Sequence, residues 1–458
     1  MPDRPISRRA LLRGAAAIGA GASLARLDLA AGAAASVPRE HVRQPGSRPN
    51  PRLPEGTDTL PKIEHIVVVM QENHSFDNYL GMLGRANGFE LDRKGKPAAS
   101  NPDGNGNVVH AFHMPTTCQL HGRPSQAWDA SHISFDGGRN DGFVRASGPV
   151  AMGYWTADDI PFYYGLARTF PLADRWFASC MAQTYPNRRF LMAGTAAGIT
   201  RTDAAAVLAA PPPNGTIFDR LNAHGISWRD YATDLPQVAL FPKDLPKNQS
   251  HIAPIGAYFT DAAAGTLPGF SIVDANFTTE GSEENPQDIG VGEEFVSRVV
   301  NAAMAGKGWS KTLLIWCYDE HGGYYDHVPP PRAIKPDDIS PDIHVPPQQP
   351  GGYDRYGFRV PAVVVSPYAK KRYVSHVVHD HTSVLKLVET KWNLPALTSR
   401  DANADNLLDF VDLKHRPAFL EPPTLPKPGL VTNPVRCKPG DAGAIPPPGA
   451  VTKARGSG

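Results

Sequence analysis

The sequence predicts an α/β fold with a mostly parallel central sheet and long inserted loops. Residues 66–70 (Ile-Val-Val-Val-Met) and 312–318 (Thr-Leu-Leu-Ile-Trp-Cys-Tyr) are apolar runs of strand length without alternation. Such runs suit strands buried on both faces of a parallel sheet. Strand-like runs alternate with stretches of helical spacing along the chain, as βα units require. Both runs also stop abruptly at acids, Glu72-Asn73 and Asp319-Glu320. Residues just past the carboxyl ends of such strands line the ligand crevice of an open α/β sheet.

Taken in order, Ser7-Arg8-Arg9-Ala10-Leu11-Leu12 and the Ala/Gly/Leu-rich stretch after it read as a twin-arginine signal peptide over residues 1–35. Ala33-Ala34-Ala35 offers the small-residue cleavage site. Residues 36–60, rich in Pro, Arg and Gly, read as a linker, and one domain spans 61–421. Residues 84–125 read as a long loop with short strands, and 160–167 as the start of a short helix. A strand is expected over 172–177 and a helix over 186–194, with Pro186 in its first turn. Further helices are expected over 214–225, 292–305 and 382–392, and further strands over 226–231, 270–274 and 360–365. The Pro/Gly/Lys-rich residues 422–458 read as a disordered tail.

Composition bounds the function. The charged fraction of 20% and apolar fraction of 41% fit a folded globular chain, and 46 Pro and 42 Gly fit many loops. The formal charge is +1; removing residues 1–35 takes away five Arg and two Asp and leaves −2. No basic surface for nucleic acid is indicated. After the signal segment there is no apolar run of about 18 residues, so no membrane span is expected. Four cysteines (Cys118, Cys180, Cys317, Cys437) allow three pairings in an exported protein. Cys317, in a core strand, reads equally as a buried free thiol.

Four groups carry candidate chemistry. Glu72, Asn73, Asp319 and Glu320 offer three acids and an amide, an oxygen set that suits a divalent cation such as Ca²⁺, Mg²⁺ or Mn²⁺. Zinc is an alternative that more often recruits His or Cys. Thr184 precedes a helix start, where backbone N–H groups and the helix dipole favour a phosphate. It reads either as a nucleophile activated by a metal or as an N-cap. His132, His321, His327, His376, His379 and His381 are acid–base candidates. Asn187, Arg188 and Arg189 would hold phosphate oxygens, with Arg188 equally a structural ion-pair partner.

The stretch Glu72-Asn73-His74-Ser75-Phe76-Asp77-Asn78-Tyr79-Leu80-Gly81 resembles the opening motif of the bacterial phospholipase C and acid phosphatase phosphoesterases, a family that includes plant non-specific phospholipases C. Thr184-Tyr185-Pro186-Asn187-Arg188 resembles its nucleophile motif. The run from Tyr318-Asp319-Glu320-His321-Gly322-Gly323 to Pro331 resembles its second acidic motif, and Val374-Ser375-His376, Asp380-His381-Thr382-Ser383 and Arg400-Asp401-Ala402-Asn403 resemble its closing segment. The similarity covers roughly residues 61–413. It implies an alkaline-phosphatase-like α/β/α sandwich with one divalent metal held by Glu72, Asn73, Thr184, Asp319 and Glu320. Thr184 would be the nucleophile, forming a phosphothreonine that water hydrolyses. His321, His381 or His132 would donate the proton, and Asn187 and Arg188 would bind substrate. Two positions depart from the pattern: Gln126 and Asn285 stand where many relatives carry histidine. They bear on the proton donor and the leaving group.

The expected activity is an exported phospholipase C releasing diacylglycerol and a phosphorylated head group. The alternatives are a phosphomonoesterase of the acid phosphatase kind and an exported binding protein without catalysis. Expected partners are a phospholipid or other phosphate ester, the twin-arginine export machinery and a membrane surface touched peripherally. The aromatic segments Tyr154-Trp155 and Phe162-Tyr163-Tyr164 read as lipid-contacting or as core.

Overall fold

The computed structural model describes residues 42–119, 122–343, 349–429 and 443–454. The signal segment, His121 and Cys437 lie outside them. Eight strands build the central sheet: β1 (His65–Gln71), β2 (Leu172–Ala173), β3 (Trp228–Ala232), β4 (Ile252–Pro254), β5 (Phe270–Val273), β6 (Thr312–Tyr318), β7 (Ala362–Val365) and β8 (Val374–Ser375). They lie in the order β8-β2-β7-β6-β1-β5-β3-β4. Every neighbouring pair described is parallel except the two that β7 makes, with β6 and β2.

The main helices are α1 (Trp128–Phe135), α2 (Pro161–Thr169), α3 (Thr184–Ala193), α4 (Ile255–Ala264), α5 (Ile289–Ala305) and α6 (Thr382–Trp392). One layer joins α5 to α2 and α4; another joins α6 to α3. With both faces covered, every residue of β1 and β6 is buried, which is why neither strand alternates in sequence. The expected α/β/α arrangement with a mostly parallel sheet is the one observed.

Register positions the site. Gln71 of β1 lies opposite Tyr318 of β6, so Glu72-Asn73 and Asp319-Glu320 emerge side by side. Val69 pairs with Val273 of β5 on the other flank, which brings Asp274 to the same edge.

Several expectations need correction. Only Leu172–Ala173 of the 172–177 segment joins the ladder; Trp176 and Phe177 make isolated bridges to His379 and Arg359. Helices α1 and α4 have no counterpart among the expected elements. The tail is not disordered in its described part. Val451–Lys453 pairs antiparallel with the strand Asn107–His110, and the Gly429 N–H donates to Glu293. Backbone pairing at a sheet edge needs no apolar periodicity, so composition hid it. Residues 42–60 hold no helix or strand, but they are tied down. Gly46 donates to the Ala396 carbonyl, Thr59 to that of Lys391, and Lys391 pairs with Asp58 at 2.8 Å. Tyr154, Trp155, Phe162, Tyr163 and Tyr164 are all buried and belong to the core, not to a lipid-facing loop. Cys118 is disulfide-bonded, whereas Cys180 and Cys317 are buried free thiols.

Candidate active site

The site begins where β1 and β6 end. Asn73 takes φ 72°, a left-handed conformation that Asn tolerates better than most residues. This turn aims the Asn73 N–H at the Asp319 carboxylate, 3.1 Å away. The facing loop comes equally close. A Cβ on Gly322, which has φ 65°, would stand 1.8 Å from the Asn73 carbonyl oxygen, so only glycine fits there. A Cβ on Gly323 would meet Pro124 and Ser125, which brings the segment carrying Gln126 against the same loop.

Glu72, Asp319 and Glu320 are each at most 5% exposed. One buried guanidinium serves the cluster. Arg188 donates from Nε to Asp319 at 3.1 Å and lies 3.4 Å from Asp274 and 3.8 Å from Glu72. It also donates to the carbonyls of Met70 and Gln71, and its head lies over the Phe277 ring. Of the two readings of Arg188, the geometry is that of the ion-pair partner.

The acids remain under-compensated. Burial pushes the Glu72 carboxyl well above its usual range; Arg188 opposes this, and Asp319 and Glu284 add to it. Glu320 is raised by burial and then by Asp319. Oε2 of Glu72, both side-chain atoms of Asn73 and Oε1 of Glu320 are buried with no hydrogen-bond partner among the described residues. Buried polar atoms are nearly always satisfied, so unsatisfied oxygens on neighbouring strand ends mark a ligand position. Oxygens from two carboxylates and an amide fit a hard divalent cation, which would also relieve the crowded negative charge. By the chemistry of these donors and their missing partners, the residues present fit a metal.

Thr184 is the first residue of α3, not its N-cap. Gln183 holds that position and makes no side-chain capping bond. Thr184 lies four residues before Arg188, hence on the same helix face one turn, about 6 Å, nearer the amino end. That face is the one Arg188 turns to the acids. Arg188, one turn further along the same helix, lies 3.8 Å from Glu72 and brings α3 to the cluster. In this first turn Pro186 has no N–H and Tyr185 donates to Thr202 Oγ1 at 3.4 Å, which leaves the Thr184 N–H and the helix dipole for an anion.

Asn187 is committed elsewhere. Its amide donates to the carbonyls of Cys180, Ala182 and Gln183 and accepts from the Cys180 N–H, bracing the loop ahead of Thr184. Arg189 is bonded to the carbonyls of Leu240 and Ala210, away from the acids.

The histidines separate by their contacts. His321 is 2% exposed and packs against Phe358 and Phe143. Its Nδ1 is 3.3 Å from Glu320, and its Nε2 has no partner among the described residues. Burial pushes its imidazole down to about 3. Both ring nitrogens of His381 are occupied: Trp176 donates to Nδ1, so Nε2 donates to the Asp319 carbonyl at 2.7 Å. His132 lies on α1, bonded to the Trp128 carbonyl and tilted against its ring, with its Nε2 against Gly351. None of its described contacts reaches the acid cluster. His327 pairs with Asp77 at 2.6 Å, and exposed His376 with Asp174.

Two acids join the site that strand-end reading did not assign to it. Asp274 follows β5 and meets Arg188. Glu284 raises Glu72 and Glu320 through its charge and is itself raised by burial, with Arg123 as its main counter-charge. The signal for Asp274 was an acid at a strand end, the same one that marked Glu72 and Asp319. Asn285 hydrogen-bonds Tyr324, which donates to Gln119.

Fold and site define an α/β protein with an acidic, cation-fitting centre that faces a helix N-terminus. The model of the Phosphoesterase family matches residues 63–395. The chain belongs to the phosphoesterase family and is a phosphoric ester hydrolase. Phospholipase C B of Mycobacterium tuberculosis (strain ATCC 25618 / H37Rv) is 31% identical over 430 residues, covering 81% of this chain and 80% of that protein. Non-specific phospholipase C1 of Arabidopsis thaliana is 29% identical over 409 residues, covering 81% and 76%. Among solved structures, an alkaline phosphatase superfamily protein from Vibrio parahaemolyticus aligns with a TM-score of 0.36 at 10% identity, over 77% of this chain and 71% of that one. Among the described residues, no helix is long and apolar enough to cross a membrane.

Proposed function

We propose that this chain is an exported, metal-dependent phospholipase C that cleaves a phospholipid to diacylglycerol and a phosphorylated head group. The observation that carries this reading is the emergence of Glu72-Asn73 and Asp319-Glu320 side by side against Arg188, a residue one helical turn along α3 from Thr184. The relatives named phospholipase C supply the substrate class. Glu72, Asn73, Asp319 and Glu320, together with Thr184, would hold the divalent ion. The ion, when bound, lowers the pKa of a hydroxyl and neutralises phosphate charge.

The chain's own residues do the rest. The Thr184 N–H and the helix dipole at the start of α3 orient the phosphate. The Thr184 oxygen, whose proton is lost to solvent when an ion is bound, attacks phosphorus, and the bond to the diacylglycerol oxygen breaks. That oxygen leaves with a proton from His321, whose Nε2 is the free ring nitrogen beside the cluster. An anionic phosphate nearby would raise the depressed pKa of His321 toward the working range. Water then attacks the phosphothreonine and gives its proton back to His321; the bond from phosphorus to the Thr184 oxygen breaks, that oxygen returns to its ionised state, and the phosphorylated head group departs. Arg188 and His381 hold Asp319 in place from either side. Export rests on the twin-arginine signal read in residues 1–35.

The test uses the metal-loaded exported form, assayed on phosphatidylcholine dispersions and on an aryl phosphate monoester, with Thr184→Ala beside it. Diacylglycerol release with little monoester turnover is expected, and Thr184→Ala should lose about 10⁴-fold or more in kcat. Monoester turnover without lipid cleavage would make the chain a phosphomonoesterase. Full activity in Thr184→Ala would remove Thr184 as the nucleophile.

A further inference from the structure

A second group of ligating side chains lies at the sheet edge, outside the acid cluster. His379, in the loop after β8, faces Asp405 and Asp409. Nδ1 of the ring is 3.4 Å from Asp405 and Nε2 is 3.8 Å from Asp409. One ligand atom from each residue lies within 4.8 Å of the others.

The hydrogen bonds determine the tautomer. Ser375 Oγ donates its one proton to Asp409 Oδ2 at 2.5 Å and is 3.0 Å from His379 Nε2. With that proton used, the ring must donate from Nε2 to the hydroxyl oxygen. In the neutral ring, Nδ1 then carries a lone pair, pointed at a carboxylate.

His379 is 1% exposed, and its Nδ1 has no hydrogen-bond partner among the described residues. Asp409 Oδ1 is likewise buried without a partner. Three electron-pair donors therefore converge, and no described Lys or Arg forms an ion pair with either acid. The cluster of Asp77, Asp326 and His327 shows the contrast. There Arg359 bonds both carboxylates, at 3.0 and 2.9 Å, so that group is already compensated.

We infer that His379 Nδ1, Asp405 and Asp409 form a second divalent-cation site, of the zinc or manganese class. One imidazole with two carboxylates suits those ions better than calcium. The surrounding bonds are those that orient metal ligands. The ring donates its other N–H to Ser375, and Asp409 is held by Ser375 and by Tyr373 at 3.1 Å. A cation here ties the edge strand β8 to the 405–409 segment. The intervening loop leads directly to His381, whose Nε2 supports the Asp319 carbonyl. The site therefore steadies the acid cluster from outside it.

The test strips the full-length exported protein with chelator, reloads it with Zn²⁺ and counts bound zinc. Wild type is compared with Asp405→Asn and with Glu72→Gln. Asp405 is one-third exposed, so its amide variant should fold. Asp405→Asn is expected to bind one equivalent fewer than wild type, and zinc should raise its melting temperature less. Glu72→Gln should retain the Asp405-dependent equivalent, which separates this inference from the active-site reading. Equal zinc content in wild type and Asp405→Asn overturns it; an imidazolium bridging the two acids would give that result. Should Asp405→Asn not fold, zinc-soaked wild-type crystals decide by anomalous scattering. A peak about 2.0–2.2 Å from His379 Nδ1 and both carboxylates supports the site, and no peak there overturns it.

Discussion

The Nε–H of Arg188 donates to the Asp319 carboxylate at 3.1 Å, from a guanidinium that is 2% exposed. The same head reaches Asp274 and Glu72, so one buried cation serves the carboxyl ends of three adjacent strands. Removing it leaves three buried acids without their counter-charge. Arg188→Gln is expected to lose about 3–5 kcal/mol of stability in the metal-free protein, read by urea unfolding. A rise in KM with unchanged stability would instead make Arg188 a phosphate ligand.

The close approach at Gly322 gives a second prediction. Gly322→Ala must displace the Asn73 carbonyl or the 319–323 loop, because its Cβ would lie 1.8 Å from that oxygen at φ 65°. A cost of about 1–3 kcal/mol is expected, with loss of activity as Asn73 moves. Gly95→Ala is the control. It has φ 74° and nothing within 4 Å, so it should cost only the conformational penalty of about 1 kcal/mol and keep full activity. Equal effects of the two on activity would show that the approach at Asn73 does not matter.

Stability should fall as pH rises through the neutral range. Burial pushes Glu293 from its ordinary 4.5 up to about 8, against the N–H groups of Gly429, Tyr163 and Phe162 that favour its charged form. Between those values the folded chain holds a proton that the unfolded chain has released. This contribution is therefore full below about 4.5 and declines toward pH 8, by at most about 1.4 kcal/mol per pH unit. Glu283, pushed up to about 7 by burial, acts in the same direction. Thermal melts from about pH 6.5 to 8 should show the decline, since below about 6.5 the buried histidines His74 and His321, pushed down to about 3, act in the opposite direction, and Glu293→Gln should make it shallower. An unchanged slope in Glu293→Gln would show that this carboxyl is ionised when folded.

Chelation should abolish turnover and addition of a divalent ion restore it. The unsatisfied oxygens of Glu72, Asn73 and Glu320 have no other described partner to take up that role. A bound ion at about 100 times its Kd should stabilise the fold by about 2.7 kcal/mol per site. Glu320→Gln should lower both the restored rate and the thermal shift. Turnover that persists after exhaustive chelation would contradict the metal-dependent reading.

The sequence by itself determined the main strands, the helices α3, α5 and α6 and the acids that follow β1 and β6. Strands buried on both faces leave unbroken apolar runs, and helices leave a 3.6-residue period, so each is written locally. The span of α6 and the strand at 312–318 were legible to the residue. Only the tertiary structure decided what those residues do to one another. Register across β1 and β6 brings together Glu72 and Asp319, 247 positions apart, and packing of α3 spends Arg188 on their charge. The same packing adds Asp274 and Glu284 to the site, occupies both nitrogens of His381 and keeps His132 out of contact with the acids. It also pairs Val451–Lys453 with an edge strand, although the tail's composition reads as disorder. Ion pairing, hydrogen-bond occupancy and edge pairing depend on which distant atoms fall within a few ångströms, and no local period in a sequence encodes that distance.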